Sequence, residues 1–376
     1  MKDIEQEVRS ILDAMAREID NVPSLPARIQ RRARRSAVLN ALLFCVILVG
    51  LISTGTIGFH AWVRDRDKPL PPADHSATQI AVDVFQRNKT PGEDPRSYLY
   101  VIRSDGDNLR RVTGKAVGFA TSPSWSPDND QLAFARVNHN RAPGRASVSV
   151  VDIDGSNLTK LYSAPRAHGI QQVAWSPDEN NIAFIEFDYS DIGNGSEANI
   201  KYTLFVMDSD GDDVTALTSD EYRPVSFSWS GDGEQLVFSD ERLGDNSRFL
   251  YDLYTIDAEG ENIDQLTDDG RSTDPAWSPD GSQIAFTSYG GETSFRERDI
   301  YVMDSDGTDR AALVVDDKTQ DHPTWSPDGS EIAYTNYGRR RGCQLWAVDV
   351  ENQGVRQIVG RRGLGGCPNF PAWERP

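Results

Sequence analysis

From about residue 78 apolar and polar positions alternate with the period of a β-strand, and the pattern returns at regular intervals. Leu132-Ala-Phe134, Ile182-Ala-Phe184, Leu236-Val-Phe238, Ile284-Ala-Phe286 and Ile332-Ala-Tyr334 each begin seven residues after a tryptophan. Those tryptophans are Trp125, Trp175, Trp229, Trp277 and Trp325, and Trp373 stands one further step on. A second apolar run follows and ends in an Asp/Gly turn, as in VVDIDG, FVMDSDG, YTIDAEG and YVMDSDG. A short last run closes the unit, as in VTALT or IDQLT.

The turns fit this reading. Ser-Pro-Asp-Gly after the tryptophan suits a type I turn, with proline presetting φ and glycine tolerated at the end. Trp175, followed by SPDEN, and Trp229, followed by SGDG, depart from it. The later Asp-Gly is a hairpin signal. Each unit therefore predicts a four-stranded antiparallel meander of about 48 residues. One meander cannot bury both faces, and radial stacking of such sheets makes a β-propeller.

The ends of the repeat predict the blade count. Trp373 has no strand after it, whereas Gln79–Val84 and LYVIRSDGDNLRRVT at 99–113 match the strands it lacks. The expected fold is all-β: a six-bladed β-propeller over 78–376, closed by the C-terminal strand joining the N-terminal blade, so that no sheet edge stays open.

These repeats resemble the TolB-type propeller, also called the PD40 or WD40-like repeat. PAWSPDGSQIAFTS at 275–288 with DIYVMDSDG at 299–307 carries the resemblance most closely, and it extends over about residues 78–376. It implies a binding platform in the bacterial envelope. Similar propellers also precede the catalytic domain of prolyl-oligopeptidase-like hydrolases, and no such domain is expected here.

A different pattern precedes the repeats. Ile4, Val8, Ile11, Leu12, Met15 and Ile19 fall on one helical face, and Pro23 and Pro26 end it. Arg28, Arg31, Arg32, Arg34 and Arg35 follow, and residues 36–63 carry no charged residue. Such a run is long enough to cross a bilayer, and the arginines before it place the N-terminus in the cytoplasm. The expected organisation is a cytoplasmic head at 1–36, a transmembrane helix at 37–62, a Pro-rich linker at 63–77 and an extracytoplasmic propeller. The head and span look broadly like those of membrane-anchored regulators such as anti-sigma factors.

The formal net charge of −19 argues against nucleic acid as a partner. Cys343 ends one long connection and Cys367 another on the same predicted face, so a disulfide is expected there, two buried thiols being the other possibility. No G-x-S-x-G, H-E-x-x-H or P-loop pattern occurs, and there are five His residues in all. No catalytic residue, cofactor or metal is expected. Asp208–Asp213 and Asp304–Gly307 hint at calcium loops, but they lack the twelve-residue spacing and read as hairpin turns.

Long connections lie on one predicted face: 85–97, 136–147, 187–200, 240–249, 289–298 and 336–342. Loops of this kind on a rigid scaffold often carry binding. The residue three before each tryptophan should stand at the channel mouth on that face. These residues are Ser122, Gln172, Ser226, Asp274, His322 and Phe370, with Asp321, Tyr222 and Arg223 expected nearby. The candidate binding set is His322, Asp274, Asp321, Arg223, Tyr222 and Gln172. The favoured function is a non-enzymatic binding, scaffold or sensing protein that recognises an envelope protein, peptide or glycan. One alternative is a regulator whose head sequesters a transcription factor. The other is a hydrolase or lyase using the channel His and Asp with a metal.

Overall fold

The computed structural model describes residues 78–86, 96–114, 117–138, 145–191, 200–244, 248–289, 298–316, 318–338, 342–359 and 367–375. The expected head helix, apolar span and linker lie outside the described residues, as does most of several long connections. The described residues contain no helix, and hence none long and apolar enough to cross a membrane.

Among the described residues, twenty-four strands form an all-β, propeller-like fold. The first group is β1 (Gln79–Gln86), β2 (Arg96–Arg103) and β3 (Arg110–Arg111). Next come β4 (Phe119–Trp125), β5 (Gln131–Asn138), β6 (Arg145–Asp152) and β7 (Thr159–Ser163). The third group is β8 (His168–Trp175), β9 (Asn181–Asp188), β10 (Lys201–Asp208) and β11 (Thr215–Ala216). The fourth is β12 (Pro224–Trp229), β13 (Gln235–Leu243), β14 (Phe249–Asp257) and β15 (Asp264–Gln265). The fifth is β16 (Ser272–Trp277), β17 (Gln283–Tyr289), β18 (Arg298–Asp304) and β19 (Ala311–Val314). The last is β20 (Thr319–Trp325), β21 (Glu331–Gly338), β22 (Gly342–Asp349) and β23 (Val355–Val359), followed by β24 (Cys367–Trp373). Within each group, sequential strands pair antiparallel. β24 pairs antiparallel with β1, setting Trp373 opposite Ile80 and Cys367 opposite Phe85. Cys343 and Cys367 are joined in a disulfide, with their Cα atoms 4.9 Å apart.

Local chemistry builds each meander. In the turn after Trp125, the Ser126 backbone N–H donates to Gln131 and its hydroxyl accepts from the Gln131 N–H at 3.0 Å. That hydroxyl also donates to Asp128, whose carboxylate caps the Asp130 N–H. The same Ser–Asp pair recurs at Ser230–Asp232, Ser278–Asp280 and Ser326–Asp328, so the repeated residues are explained by one turn. The fourth turn residue is left-handed throughout: Asn129, Glu179, Gly233, Gly281 and Gly329 have φ of 60°, 66°, 75°, 73° and 71°. The two units without glycine keep the same turn, with Asn129 tolerating the left-handed φ and Glu179 bearing the larger steric cost.

The outer strands are short because a side chain ends the ladder. Thr113, Thr218 and Thr267 each accept through their hydroxyl a backbone N–H from the neighbouring strand, at 2.9, 3.0 and 2.9 Å. Between sheets, Phe134, Phe184, Phe238 and Phe286 are wholly buried. Each contributes roughly 1.5–3 kcal/mol by leaving water. The Asp-rich hairpins spend their polar groups internally. The Asp208 N–H donates to Asp212, and Asp210 accepts the Asp212 N–H at 3.2 Å. No group of three His, Cys, Asp or Glu is arranged to hold a metal among the described residues.

A candidate ligand channel and its polar mouth

The six strands that end on the repeated tryptophan, β4, β8, β12, β16, β20 and β24, surround a cavity of about 230 Å³. Its lining includes all six residues three before the tryptophans: Ser122, Gln172, Ser226, Asp274, His322 and Phe370. Four of these are left-handed without being glycine: Ser122, Asp274, His322 and Phe370, with φ of 53°, 49°, 54° and 44°. Proline follows each of them. Each sits at a bulge where the inner strand slips against its neighbour, for example between Asp321 and Thr324. A bulge next to proline re-aims the side chain that precedes it, at a cost of order 1–3 kcal/mol.

The left-handed residues differ in what their side chains meet. The His322 ring lies 4.2 Å from the Phe370 ring, and its Nδ1 is buried without a hydrogen-bond partner among the described residues. The Asp274 backbone N–H donates to the Ser226 hydroxyl at 3.1 Å, which ties one unit to the next. Ser226 in turn shares a hydrogen bond with Ser239 at 2.7 Å.

Behind the mouth runs a belt of charge and aromatic rings. Arg298 pairs with Asp321 at 2.7 Å and lies 5.6 Å from the centre of the Tyr289 ring. Tyr289 stacks on Tyr251 at 5.5 Å, Tyr251 donates its hydroxyl to Glu241 at 3.0 Å, and Glu241 pairs with Arg223 at 3.0 Å. The belt thus spans three successive units. Burial pushes the Tyr251, Tyr289 and Tyr337 phenols above their usual range, so they act as neutral hydrogen-bonding groups. Burial also pushes the Asp321 carboxyl up, against the pull of His322 and Arg298, and Asp274 adds to the rise. Its Oδ1 is buried without a hydrogen-bond partner among the described residues. Tyr337 donates to Asn369 at 2.7 Å. On the other side of Asn369, Asp83 is buried and its carboxyl is raised to about 7 by that burial, with Ser122, Ser97, Thr121 and Asn369 pulling it back.

The expected site residues are placed as follows. His322, Asp274 and Gln172 line the cavity. Gln172 spends its amide across the gap, donating to the Phe227 carbonyl and accepting the Phe227 N–H, both at 2.9 Å. Asp321 lies just behind the wall. Arg223 belongs to the belt through Glu241 and does not line the cavity. Tyr222 does not line it either: its ring packs edge-on against Phe238 and Tyr254, at 5.8 and 5.6 Å. Register alone suggested that Tyr222 faced the mouth, but apolar packing between sheets takes its ring instead. Arg298, Tyr289 and Tyr251 were not foreseen, because no repeated motif marks them. Their one signal is that an arginine begins the strand Arg298–Asp304 beside a unit whose inner strand carries Asp321.

Residues 136–295 match the PD40 family model, described as the TolB beta propeller domain. A crystal structure of TolB from Acinetobacter baumannii is similar with a TM-score of 0.62 at 19% identity, covering 80% of this chain and 67% of that one. The acylaminoacyl peptidase of Pyrococcus horikoshii is similar with a TM-score of 0.51 at 16% identity, covering 75% of this chain and 44% of that one. The structural matches show a β-propeller fold, and the family match is to the PD40 repeat over residues 136–295. In sequence, 189 residues are 29% identical to the uncharacterized peptidase YuxL of Bacillus subtilis, covering 49% of this chain and 24% of that protein. The aligned stretch thus takes in about a quarter of that relative. TolB and peptidases are both among the proteins to which this chain is similar.

Proposed function

We propose that this protein is a non-enzymatic binding module: a six-bladed ring, closed by β24, that receives its ligand at the polar channel mouth. The observation that carries the reading is the pair Asp274 and His322. Both are held left-handed at bulges on adjacent inner strands and both line the cavity. Asp321 Oδ1 and His322 Nδ1, buried without partners, support a ligand that completes those hydrogen bonds. Two carboxylates, Asp274 and Asp321, favour one that brings donors or positive charge, such as a lysine-bearing or amine-terminated peptide segment. We take residues 37–62 as a membrane anchor and the propeller as extracytoplasmic, so that an envelope protein or peptide is the partner class.

Chemical crosslinking of the full chain in its native membrane tests this. The expected result is a crosslinked partner that is lost from Asp274→Asn and from His322→Ala while both variants still fold. An unchanged crosslinking pattern in both variants would sink the reading.

The sequence similarity to a peptidase favours a second reading, in which the propeller screens peptides for hydrolysis. Incubation of the full chain with a mixed peptide library distinguishes it: cleavage that disappears in His322→Ala would support this reading over binding alone.

A further inference from the structure

The opposite end of the channel carries a charge that the mouth does not use. The inner strands leave the cavity two residues past each tryptophan. At that level the repeat supplies Pro127, Pro177, Gly231, Pro279 and Pro327, and the last unit supplies Arg375. Gly231, Pro279, Pro327 and Arg375 all line the cavity. The ring at this end is therefore mostly proline and glycine, with one guanidinium, and Ser278 and Glu374 also line the cavity beside it.

That guanidinium is held in place. The Arg375 backbone N–H donates to Asn129 Oδ1 at 2.7 Å, and the Arg375 carbonyl accepts from Asn129 Nδ2 at 3.1 Å. One terminal nitrogen donates to the Trp175 carbonyl at 2.5 Å. Asn129 belongs to the turn of the next unit and Trp175 to the unit after that, so the side chain reaches across the channel end.

Among the described residues nothing neutralises the charge. A guanidinium carries five N–H donors, and this bond uses one. No carboxylate pairs with Arg375 among the described residues, and the adjacent Glu374 accepts instead from Gln79 at 3.1 Å. Burial pulls the guanidinium down to about 10. Arg375 is half-buried, and a guanidinium drawn partly out of water without a carboxylate partner favours an incoming counter-charge.

We propose that Arg375 makes this end of the channel a binding site for a carboxylate group. The fork of a guanidinium matches the two oxygens of a carboxylate, and the proline walls strengthen the pairing by keeping water away. The formal net charge of −19 penalises a doubly charged anion more than a singly charged one. A free small acid and the C-terminus of a peptide share this chemistry. The site is independent of the reading given to the mouth.

Tryptophans line the cavity, so their fluorescence reports on it. The full chain, in a non-ionic detergent at constant ionic strength, is titrated with sodium acetate, with tetraglycine and with tetraglycine amide. Saturable responses to acetate or tetraglycine, absent with the amide, are expected. Acetate binding as tightly as tetraglycine assigns the site to a small free acid, and tighter tetraglycine assigns it to a peptide C-terminus. Arg375→Gln should weaken the response about tenfold or more, and Arg375→Lys, which keeps the charge without the fork, should fall between. Circular dichroism checks that each variant folds. If Arg375→Gln does not fold, the acid-against-amide contrast in the wild type and the Arg375→Lys titration decide. Absence of any saturable response in the wild type, equal binding of acid and amide, or a folded Arg375→Gln that binds like the wild type would overturn the proposal.

Discussion

The hydroxyl of Ser124 accepts the backbone N–H of Trp175 at 2.9 Å, and the Trp175 indole turns to its own turn, donating to the Glu179 carbonyl at 3.4 Å. Ser228 and Trp277 repeat the arrangement: the Trp277 N–H meets the Ser228 hydroxyl at 3.1 Å, and its indole meets the Gly281 carbonyl at 3.1 Å. Where the residue before the preceding tryptophan is alanine or threonine, the indole does the bridging instead. Trp125 donates to the Ala372 carbonyl, Trp229 to Ala174, Trp325 to Ala276 and Trp373 to Thr324. Neighbouring inner strands are thus always tied at this level. A serine at that one position goes with a hydroxyl tie in place of an indole tie.

Removing the hydroxyl exposes the difference. Ser124→Ala leaves the Trp175 N–H buried and unpaired, which costs about 1–3 kcal/mol. Ser228→Ala should cost a similar amount, and the two should add, because the sites share no partner. Urea unfolding of the single and double variants checks both the size and the additivity.

Gly231 stands where the other turns have proline. A Cβ built there would lie 2.1 Å from the Pro279 carbonyl oxygen of the adjacent unit, a backbone atom that cannot swing aside. Gly231→Ala should therefore destabilise by roughly 1–3 kcal/mol through overpacking. Gly329→Ala meets nothing within 4 Å, so its only cost is the left-handed φ of 71°. A larger fall in melting temperature for Gly231→Ala is the expected order.

Asp83 gives the protein a pH dependence of known sign. Its folded carboxyl is raised from 3.8 to about 7 by burial. The folded state then holds a proton that the unfolded state has lost, so this group's stabilisation is complete below about pH 4. It falls as pH rises towards 7 and is flat above. Asp83→Asn keeps the shape and cannot ionise, so its stability should lose that slope. At pH 8 the variant should be more stable than the wild type, by up to a few kcal/mol. Urea midpoints from pH 4 to 8 measure it, and parallel curves for the two proteins would refute the assignment.

The bridge between Cys343 and Cys367 joins the strand after a long connection to the strand paired with β1, across a separation of 24 residues. Loop entropy gives such a link about 3 kcal/mol. The double variant Cys343→Ser/Cys367→Ser should unfold at lower urea by that amount, and reduction of the wild type should match it.

Much of this architecture could be read from the chain. Trp-Ser-Pro-Asp-Gly encodes its own turn, because Ser278 and Asp280 satisfy the turn's donors locally. The alternating runs determine which faces are buried, and the matching strands at 79–84 anticipate the pairing of β24 with β1. The positions of Asp274 and His322 along the cavity also followed from the repeat, since spacing from the tryptophan sets a residue's height in the channel. These are short-range consequences of period and turn chemistry.

What the repeat could not show are the side-chain contacts made once the sheets pack, over separations from 16 residues (Tyr222 to Phe238) to 200 (Arg375 to Trp175). Tyr222 in register with the mouth but packed on Phe238, Arg298 opposite Asp321, Gly231 against Pro279 and Arg375 across the channel end all belong to this class. A strand's period says which way a side chain points relative to its own sheet. Which atom of the next sheet it meets depends on how closely and at what angle two sheets pack. That is a property of the assembled fold, and no local pattern in the chain carries it.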